Sequence, residues 1–239
     1  MSAVGGRVFA IGDVHGCAAE LDVLLHGLDL GRGDTAVFVG DYIDRGPDSR
    51  AVLDLMLALQ RRDDVASVFL KGNHEDMCLA YLGRPGHWGE AWLGNGGRYA
   101  LLSYGVHPDA TSGEVLDAMP ESHLAFLQGL ATSHQAAGHL IVHAGVRPDR
   151  RWSEQDDEDL LWIREEFLGR PHGLPHTVVF GHTPHRAVLV DLPYKIGIDT
   201  GCVYGGALTA LELRSHEVTQ VRRGDRRVRR SVLPARRLA

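Results

Sequence analysis

The sequence predicts a single α/β domain built around a parallel sheet. Over the first third of the chain, short apolar runs alternate with amphipathic segments of helical length, which is typical of βαβ units. Each apolar run stops at a cluster of Gly, His or Asp residues. With 239 residues, 44% of them hydrophobic, the chain is long and apolar enough for one domain with a full core.

Five β-rich runs end in such polar clusters. They cover residues 8–11, 35–39, 65–70, 140–142 and 177–180. Helical segments near 18–27, 49–60 and 76–82 separate the first three runs, which implies that those strands pair in parallel. Because ligands of open α/β sheets bind beyond the carboxyl ends of the strands, we expect the five clusters to meet in one place.

The remaining segments predict an insertion and a second sheet. Residues 83–138 are expected to form a mainly helical insertion, with helices at 90–104 and 114–130, and a further helix is expected near 155–168. After His182 the β-rich runs are 188–190, 195–199, 207–213 and 217–221. They suggest a second sheet packed on the first. We therefore expect one domain over residues 1–221, followed by an Arg-rich tail over 222–239.

The charge distribution is uneven. The formal net charge of −6 gives no general electrostatic reason to expect nucleic-acid binding. Arginines are concentrated at 222–230 and recur at Arg236 and Arg237, so the rest of the molecule is more acidic than the total suggests. An RNA- or phosphate-binding role for this tail stays open beside the simpler interpretation, a solvated and partly disordered terminus. No feature indicates an oligomeric state.

The cysteines and the hydropathy pattern bear on the compartment. Cys17, Cys78 and Cys202 are odd in number and lack CxxC spacing, which argues against a disulfide framework or a structural zinc site. The sequence has no run of ~20 apolar residues that could span a bilayer and no basic segment followed by an apolar signal core. We therefore expect a cytoplasmic protein without a membrane partner.

Six side chains in the polar clusters form a candidate ligand set for two metal ions. They are Asp13, His15, Asp41, Asn73, His143 and His182. Oxygen and nitrogen donors without thiolate suit Mn, Fe or Zn, and the Asp41 carboxylate has two oxygens with which to bridge two cations. The neutral Asn73 limits the negative charge, so that a metal pair could attract a phosphate dianion. The alternative is that the histidines are buried core residues and the carboxylates are helix caps.

Three motifs make a family resemblance specific. The runs 12–16 (GDVHG), 40–46 (GDYIDRG) and 72–75 (GNHE) resemble the signature of the phosphoprotein phosphatases, in the same order and at similar spacing. With His143-Ala144-Gly145 and Gly181-His182, the resemblance covers roughly Val8 to Leu213. It implies a calcineurin-like metallophosphoesterase β-sandwich flanked by helices, with a dinuclear metal site at the C-terminal ends of the strands. Residues 1–221 would be the catalytic domain.

The resemblance also implies a role for each matching residue. Asp13, His15 and Asp41 would hold the first metal. Asp41, Asn73, His143 and His182 would hold the second. His74 matches the general acid that protonates the leaving alkoxide, and Asp44 matches the carboxylate that orients it. Arg45 and Arg164 match the two phosphate-binding arginines, of which Arg164 could also be an ordinary solvated helix residue. Tyr204 lies near an active-site tyrosine of the family, but its surroundings differ and we leave it unassigned.

The substrate is predicted from departures within the family. Asp199-Thr200-Gly201 and Gly205-Gly206 resemble the bacterial and phage branch, which also contains symmetrical diadenosine tetraphosphate hydrolases. Those hydrolases usually lack the aspartate found here at Asp44, so the sequence favours a serine/threonine protein phosphatase, with two Mn ions as the expected cofactor. Direct attack on phosphorus by a metal-bridging hydroxide is the expected mechanism. A catalytically inactive module that binds phosphoprotein or RNA is a further alternative, which the complete ligand set disfavours.

Overall fold

The computed structural model of the protein describes residues 6–234 and contains two β-sheets with helices outside them. The strands are β1 (Val8–Ile11), β2 (Thr35–Phe38), β3 (Ala66–Phe69), β4 (Ser133–Ala136), β5 (His139–Val142), β6 (Thr177–Phe180), β7 (Leu189–Asp191), β8 (Lys195–Gly197), β9 (Ala207–Glu212), β10 (Glu217–Arg222) and β11 (Arg229–Val232). The helices are α1 (Ala18–Leu28), α2 (Ser49–Gln60), α3 (Asn73–Tyr81), α4 (Arg98–Ser103), α5 (Ser112–Ala118), α6 (Glu121–Gln128), α7 (Asp157–Trp162) and α8 (Glu165–Leu168).

The first sheet has the order β11-β10-β9-β1-β2-β3, and the second has the order β4-β5-β6-β8-β7. In the first, β1 is parallel to β2 and β2 is parallel to β3, as the helical connections predict. In the second, β5 is parallel to β6, which is parallel to β8. The first sheet thus has a parallel half, β1-β2-β3, and an antiparallel half, β9-β10-β11. The second sheet has a parallel centre with an antiparallel strand at each edge.

The central strands are apolar on both faces because each sheet is covered on both sides. In β1, Phe9 and Ile11 join the core that includes the first helices, whereas Ala10 faces the core between the sheets. In β6, Val179 faces the same central core, and Phe180 packs with the core around α7 and α8. The layers therefore run helix, sheet, sheet, helix, which confirms the predicted sandwich.

The partners of the last strands differ from the expectation. A second sheet is present, but β9 and β10 do not belong to it: β9 pairs antiparallel with β1, and β10 pairs with β9. Only β7 and β8, among the strands described after His182, lie in the second sheet. The apolar pattern predicts that a segment is a strand, but it does not say which edge that strand will join.

The predicted insertion over 83–138 is only partly helical. The expected helix at 90–104 is broken at a turn containing Gly96, whose φ is 112°, and only Arg98–Ser103 is α-helical. The expected helix at 114–130 is divided into α5 and α6 where Pro120 precedes the second helix. Residues 133–136 form β4, paired with β5 across a two-residue turn at Ala137 and Gly138, both with positive φ.

The Arg-rich segment is not simply a solvated tail. Residues 229–232 form β11, which pairs with β10, so the sheet continues beyond the expected boundary at 221. Arg223 forms an ion pair with Glu20 at 2.6 Å, and Arg230 forms one with Glu217 at 3.3 Å. Part of the basic charge is therefore neutralised within the fold. Arg236 and Arg237 lie outside the described residues.

The helices are short or polar compared with membrane-spanning segments. Among residues 6–234, none of them combines the length and the apolar character needed to cross a lipid bilayer.

Candidate metal and phosphate site

Strand register brings three of the predicted ligands to one edge of the first sheet. Ile11 is aligned with Phe38, and Phe38 is aligned with Phe69. Asp13, Asp41 and Asn73 follow those strand ends by two, three and four residues. Parallel strands end at the same edge, so these side chains are close together although they are far apart in sequence.

The second sheet contributes the two histidines. Ile141 is aligned with Val179, and His143 and His182 follow them at the carboxyl ends of β5 and β6. Two hydrogen bonds join this edge to the first sheet. The backbone N–H of His182 donates to Asp13 Oδ2 at 2.9 Å, and the His143 Nδ1 is 2.9 Å from the carbonyl oxygen of Val39. The site thus lies where the two sheets meet.

Asp41 is at the centre of the cluster. Its Oδ2 is 3.3 Å from His15 Nε2, and its Oδ1 is 3.4 Å from His143 Nε2. The Asn73 side-chain oxygen lies 3.0 Å from His143 Nε2 and 2.9 Å from His182 Nδ1. The two oxygens of one carboxylate therefore face two different groups of ligands, which is the arrangement that a bridging aspartate requires.

The backbone of the site adopts uncommon conformations. His15, Asp41, Asp44, Arg45 and His182 all have positive φ, between 45° and 74°. Non-glycine residues rarely occupy this region, and each such residue costs ~1–3 kcal/mol unless its surroundings impose it. Strain of this kind is concentrated at functional sites.

Glu75 is the side chain that holds two of these loops together. Its carboxylate accepts the backbone N–H groups of Asp41 at 2.9 Å, Tyr42 at 2.8 Å and Gly72 at 2.9 Å. Burial and the Asp41 charge raise the pKa of Glu75 to about 8. The buried carboxyl group therefore orders the Asp41 loop relative to the start of α3, directly behind the ligand cluster.

The electrostatics favour metal-binding forms of the histidines. Burial lowers the pKa of His15 to about 3 and also lowers the pKa of His143 and His182, so all three are neutral imidazoles at neutral pH, the form that binds a metal ion. Burial raises the pKa of Asp41, but the positive charge that the surrounding histidines, His74 among them, carry when protonated lowers it overall, so this carboxylate is ionised.

The residues present fit a pair of divalent cations. Asp13 Oδ1 and His182 Nε2 are buried polar atoms without a hydrogen-bond partner. Burial and the neighbouring Asp199 and Asp41 raise the pKa of Asp13 well above its usual value. A buried group of carboxylates that repel one another, beside neutral imidazoles, is a set of donors that positive charge would stabilise. Asp41, His143 and His182 offer ligand atoms within 4.8 Å of one another.

His74 and Asp44 form a buried pair beside this cluster. The His74 Nδ1 lies 2.6 Å from Asp44 Oδ2, and both side chains are fully buried. Burial lowers the pKa of His74, but the Asp41 and Asp44 charges outweigh it, so the pKa is raised overall. The protonated imidazole is thereby favoured, and its Nε2 has no hydrogen-bond partner.

Two arginines add positive charge at the mouth of the site. The Arg45 guanidinium donates to His15 Nε2 at 2.7 Å and lies over the ring of Tyr204, 5.8 Å from its centroid. Arg164 is exposed, and its charge contributes to the lowered pKa of His143 and His182. It occupies a break between α7 and α8, with φ −132° and ψ −91°, so the single helix expected over 155–168 is wrong.

A family model of the calcineurin-like phosphoesterases matches residues 6–225. The chain belongs to this family. It is 33% identical over 213 residues to serine/threonine-protein phosphatase 1 of Salmonella typhimurium, a match covering 87% of this chain and 92% of that protein. It is 29% identical over 288 residues to the symmetrical bis(5'-nucleosyl)-tetraphosphatase of Bordetella pertussis, covering 91% and 96%. A solved structure described as a candidate diadenosine tetraphosphatase superposes with a TM-score of 0.70 and 26% identity, covering 93% and 96%.

The structure of this phosphoesterase brings the predicted site residues together. Asp13, His15, Asp41, Asn73, His143 and His182 form one cluster, and His74, Asp44 and Arg45 adjoin it. Arg164 is close enough for its charge to act on the histidines. Their individual roles in binding and catalysis remain predictions.

Three further residues of this phosphoesterase escaped the sequence-based prediction. Glu75 lies within the GNHE motif and could have been found there. Asp199 is buried beside Asp13, and burial raises its pKa to about 6. Trp92, which contacts Asp44, was concealed within the helix expected over 90–104; the glycines that follow it were the available signal.

Another group of potential ligands lies outside this cluster. Cys17, Glu20 and Cys202 are buried within 4.8 Å of one another, and all three cysteines of the phosphoesterase are free. The Glu20 carboxylate already accepts the Arg223 guanidinium at 2.6 Å and the Gly224 N–H at 2.9 Å. Its charge is therefore balanced by the protein itself.

Proposed function

We propose that the protein is a metal-dependent phosphomonoesterase that acts on phosphorylated serine and threonine side chains. The observation that carries the proposal is the His74–Asp44 pair, 2.6 Å apart and fully buried next to the ligand cluster. A pair of this kind serves a reaction whose leaving group needs a proton.

The leaving group distinguishes the two reactions considered for this family. Hydrolysis of a serine phosphate expels an alkoxide, which is a strong base and a poor leaving group unless it is protonated. A positioned acid accelerates such a step by ~10²–10⁴-fold. Cleavage of a phosphoanhydride expels a phosphate group, which needs far less assistance. The raised pKa of His74 keeps the proton on its imidazole, as a general acid requires.

The ligand cluster supplies the other half of the chemistry. Asp13, His15 and Asp41 would hold one divalent ion, and Asn73, His143 and His182 would hold the second together with Asp41. Bound divalent ions supply an activated water and neutralise phosphoryl charge. Mn²⁺ suits this mixture of carboxylate, amide and imidazole donors.

The arginines would orient the phosphoryl group. Arg45 has a planar guanidinium, which can contact two phosphoryl oxygens at once, and it is held next to His15. Arg164 is exposed at the break between α7 and α8, so its side chain is accessible to a substrate. Two guanidinium groups on different parts of the chain would hold the phosphoryl group in line with the attacking water.

A dinucleoside tetraphosphate is the second candidate substrate. The Tyr204 side chain is 62% exposed next to Arg45, and an exposed aromatic ring offers a surface on which a nucleobase can stack. The similarity to the tetraphosphatase of Bordetella pertussis points the same way. The buried acid pair and the higher identity to the Salmonella phosphatase favour the monoesterase.

A parallel assay of three substrates tests the proposal. A phosphoserine peptide, a phosphotyrosine peptide and diadenosine tetraphosphate would be compared with added Mn²⁺, with a chelated sample as the control. We expect the highest kcat/KM for the phosphoserine peptide. Preferential turnover of the dinucleotide would replace the proposed function with the second candidate.

A further inference from the structure

Trp92 is a buried residue that contacts the site from the inserted segment. Its side chain is only 1% exposed and packs at 5.0 Å from the ring of Tyr81. Its indole N–H donates to Asp44 Oδ2 at 2.9 Å. A tryptophan N–H can only donate, so this contact directs a fixed dipole at one carboxylate oxygen.

That oxygen is also the partner of the general acid. Asp44 Oδ2 lies 2.6 Å from His74 Nδ1, so a single oxygen accepts from both Trp92 and His74. The other oxygen, Oδ1, is buried and has no hydrogen-bond partner. Without the indole N–H, the two oxygens would differ less in their surroundings, and the carboxylate would be freer to rotate away from the imidazole.

The turn that follows Trp92 also contacts Arg45. The Gly96 carbonyl oxygen accepts the backbone N–H of Arg45 at 3.2 Å. Gly96 has φ 112°, and a Cβ there would lie 2.7 Å from Arg45 Cγ. We call residues 92–97 the WLGNGG turn. It touches two consecutive residues, Asp44 and Arg45, that would serve proton transfer and phosphate binding.

We propose that Trp92 is a positioning residue for the Asp44–His74 pair, and that the WLGNGG turn couples the placement of this pair to that of Arg45. The inference rests on the proposed function, because it takes His74 to be the general acid. It gives the inserted segment, residues 83–138, a specific role, since its turn at 92–97 orients Asp44 and, through Asp44, His74.

The kinetic test compares leaving groups. Trp92→Phe keeps an aromatic ring but removes the N–H. We expect the variant to lose about 10-fold or more in kcat on phenyl phosphate, a fraction of the ~10²–10⁴-fold that a positioned acid supplies. On p-nitrophenyl phosphate, whose leaving group hardly needs a proton, the loss should be below about 3-fold, because general-acid assistance contributes little there. Trp88→Phe is the matched control, since Trp88 is 51% exposed in the same segment and should show neither loss.

A double substitution separates positioning from general loosening. If Trp92 acts through Asp44, Trp92→Phe should add little to the loss already caused by Asp44→Asn, because residues that act as a unit are not additive. Equal losses on both aryl phosphates, or the same loss with and without Asp44, would overturn the proposal.

A spectroscopic measurement does not depend on whether Trp92→Phe folds or on the natural substrate. In the wild-type protein, the Trp92 indole N–H should exchange with solvent far more slowly than that of Trp88, and its resonance should shift upfield in Asp44→Ala. Rapid exchange, or an unmoved resonance, would refute the contact. If the phosphoserine peptide is not hydrolysed but the aryl phosphates still show the difference, the proposed function fails while the role of Trp92 stands.

Discussion

Gly40 offers a sensitive test of how the two sheets are joined. It precedes Asp41 with φ 111°, a conformation that L side chains rarely adopt. A Cβ at this position would lie 2.6 Å from the backbone nitrogen of Gly72 and 2.9 Å from His143 Nδ1. Gly40→Ala therefore forces either the loop before Asn73 or the His143 imidazole to move.

The expected cost combines three contributions. Backbone strain costs ~1–3 kcal/mol, and overpacking against rigid backbone costs another ~1–3 kcal/mol. Alanine restricts the unfolded chain more than glycine does, and this effect alone stabilises the folded protein by ~0.4–1 kcal/mol. We expect a net loss of about 1–5.6 kcal/mol in the free energy of unfolding, because these contributions partly offset one another.

Gly83→Ala is the matched control. Gly83 has φ 70°, but a Cβ there meets no heavy atom within 4 Å, so the variant has backbone strain without the collision. Urea unfolding of both variants should show that Gly40→Ala is less stable by at least ~1 kcal/mol, the low end of the overpacking cost. Equal stabilities would refute the argument that contact with Gly72 and His143 excludes a side chain at position 40.

Four further outcomes are expected. His74→Asn should slow phosphoserine peptide hydrolysis by ~10²–10⁴-fold while largely sparing p-nitrophenyl phosphate, as measured by steady-state kinetics. Arg45→Lys should lower kcat/KM by ~10–100-fold, because one ammonium cannot replace a planar guanidinium and hydrogen bonds to charged groups contribute ~1.5–3 kcal/mol. Chelation should abolish turnover, and added Mn²⁺ should restore it. Asp34→Asn should cost ~1–3 kcal/mol at pH 7 in urea unfolding, since Asp34 accepts the Arg7 backbone N–H at 2.8 Å and its Nε at 3.1 Å.

The Asp34 prediction has a defined dependence on pH. Burial raises the pKa of Asp34, but the Arg7 and Gly31 hydrogen bonds outweigh it, so the pKa is lowered overall. A carboxylate with a lowered folded-state pKa stabilises the protein above its unfolded pKa of about 3.9 and loses that effect as the pH falls further. The difference in stability between wild type and Asp34→Asn should therefore shrink below about pH 4. A difference that stays constant from pH 7 to about pH 3 would show that the Asp34 charge is not involved.

Different results would contradict each of the kinetic predictions. An equal loss on both substrates in His74→Asn would remove His74 as the acid. An unchanged kcat/KM in Arg45→Lys would mean that Arg45 does not bind phosphate. Full activity after the removal of bound metal, verified by metal analysis, would contradict the role assigned to the ligand cluster.

The ligand cluster could be predicted because its cause is local. Each ligand follows a strand that is recognisable from its apolar residues, and parallel pairing sends the strand ends to one edge. The same reasoning placed His143 and His182 beside Asp41, although the two histidines belong to a different sheet. The sequence could not show that β9 joins β1, because an apolar strand pattern is compatible with several partners.

The residues that support the cluster were harder to find. Trp92 has the apolar character of any core residue, and its importance comes from one N–H whose direction depends on the fold of the turn at 92–97. The strand at 133–136 was also missed, because Ser133, His134 and Gln135 are polar and the strand lies at the margin of its sheet. Polar edge strands and irregular turns lack a repeating pattern of apolar residues, so their contacts are difficult to predict from a sequence.

The location of the cluster across two sheets makes interlayer spacing a determinant of activity. Buried aliphatic side chains, among them Ala10, Val37 and Val179, fill the interior between the layers. A larger side chain introduced there would move Asp13 away from His182, and Val39 away from His143, although every ligand residue would be unchanged. Substitutions in this interior could therefore lower or abolish the phosphoesterase activity of a related protein in which all the sequence motifs are intact.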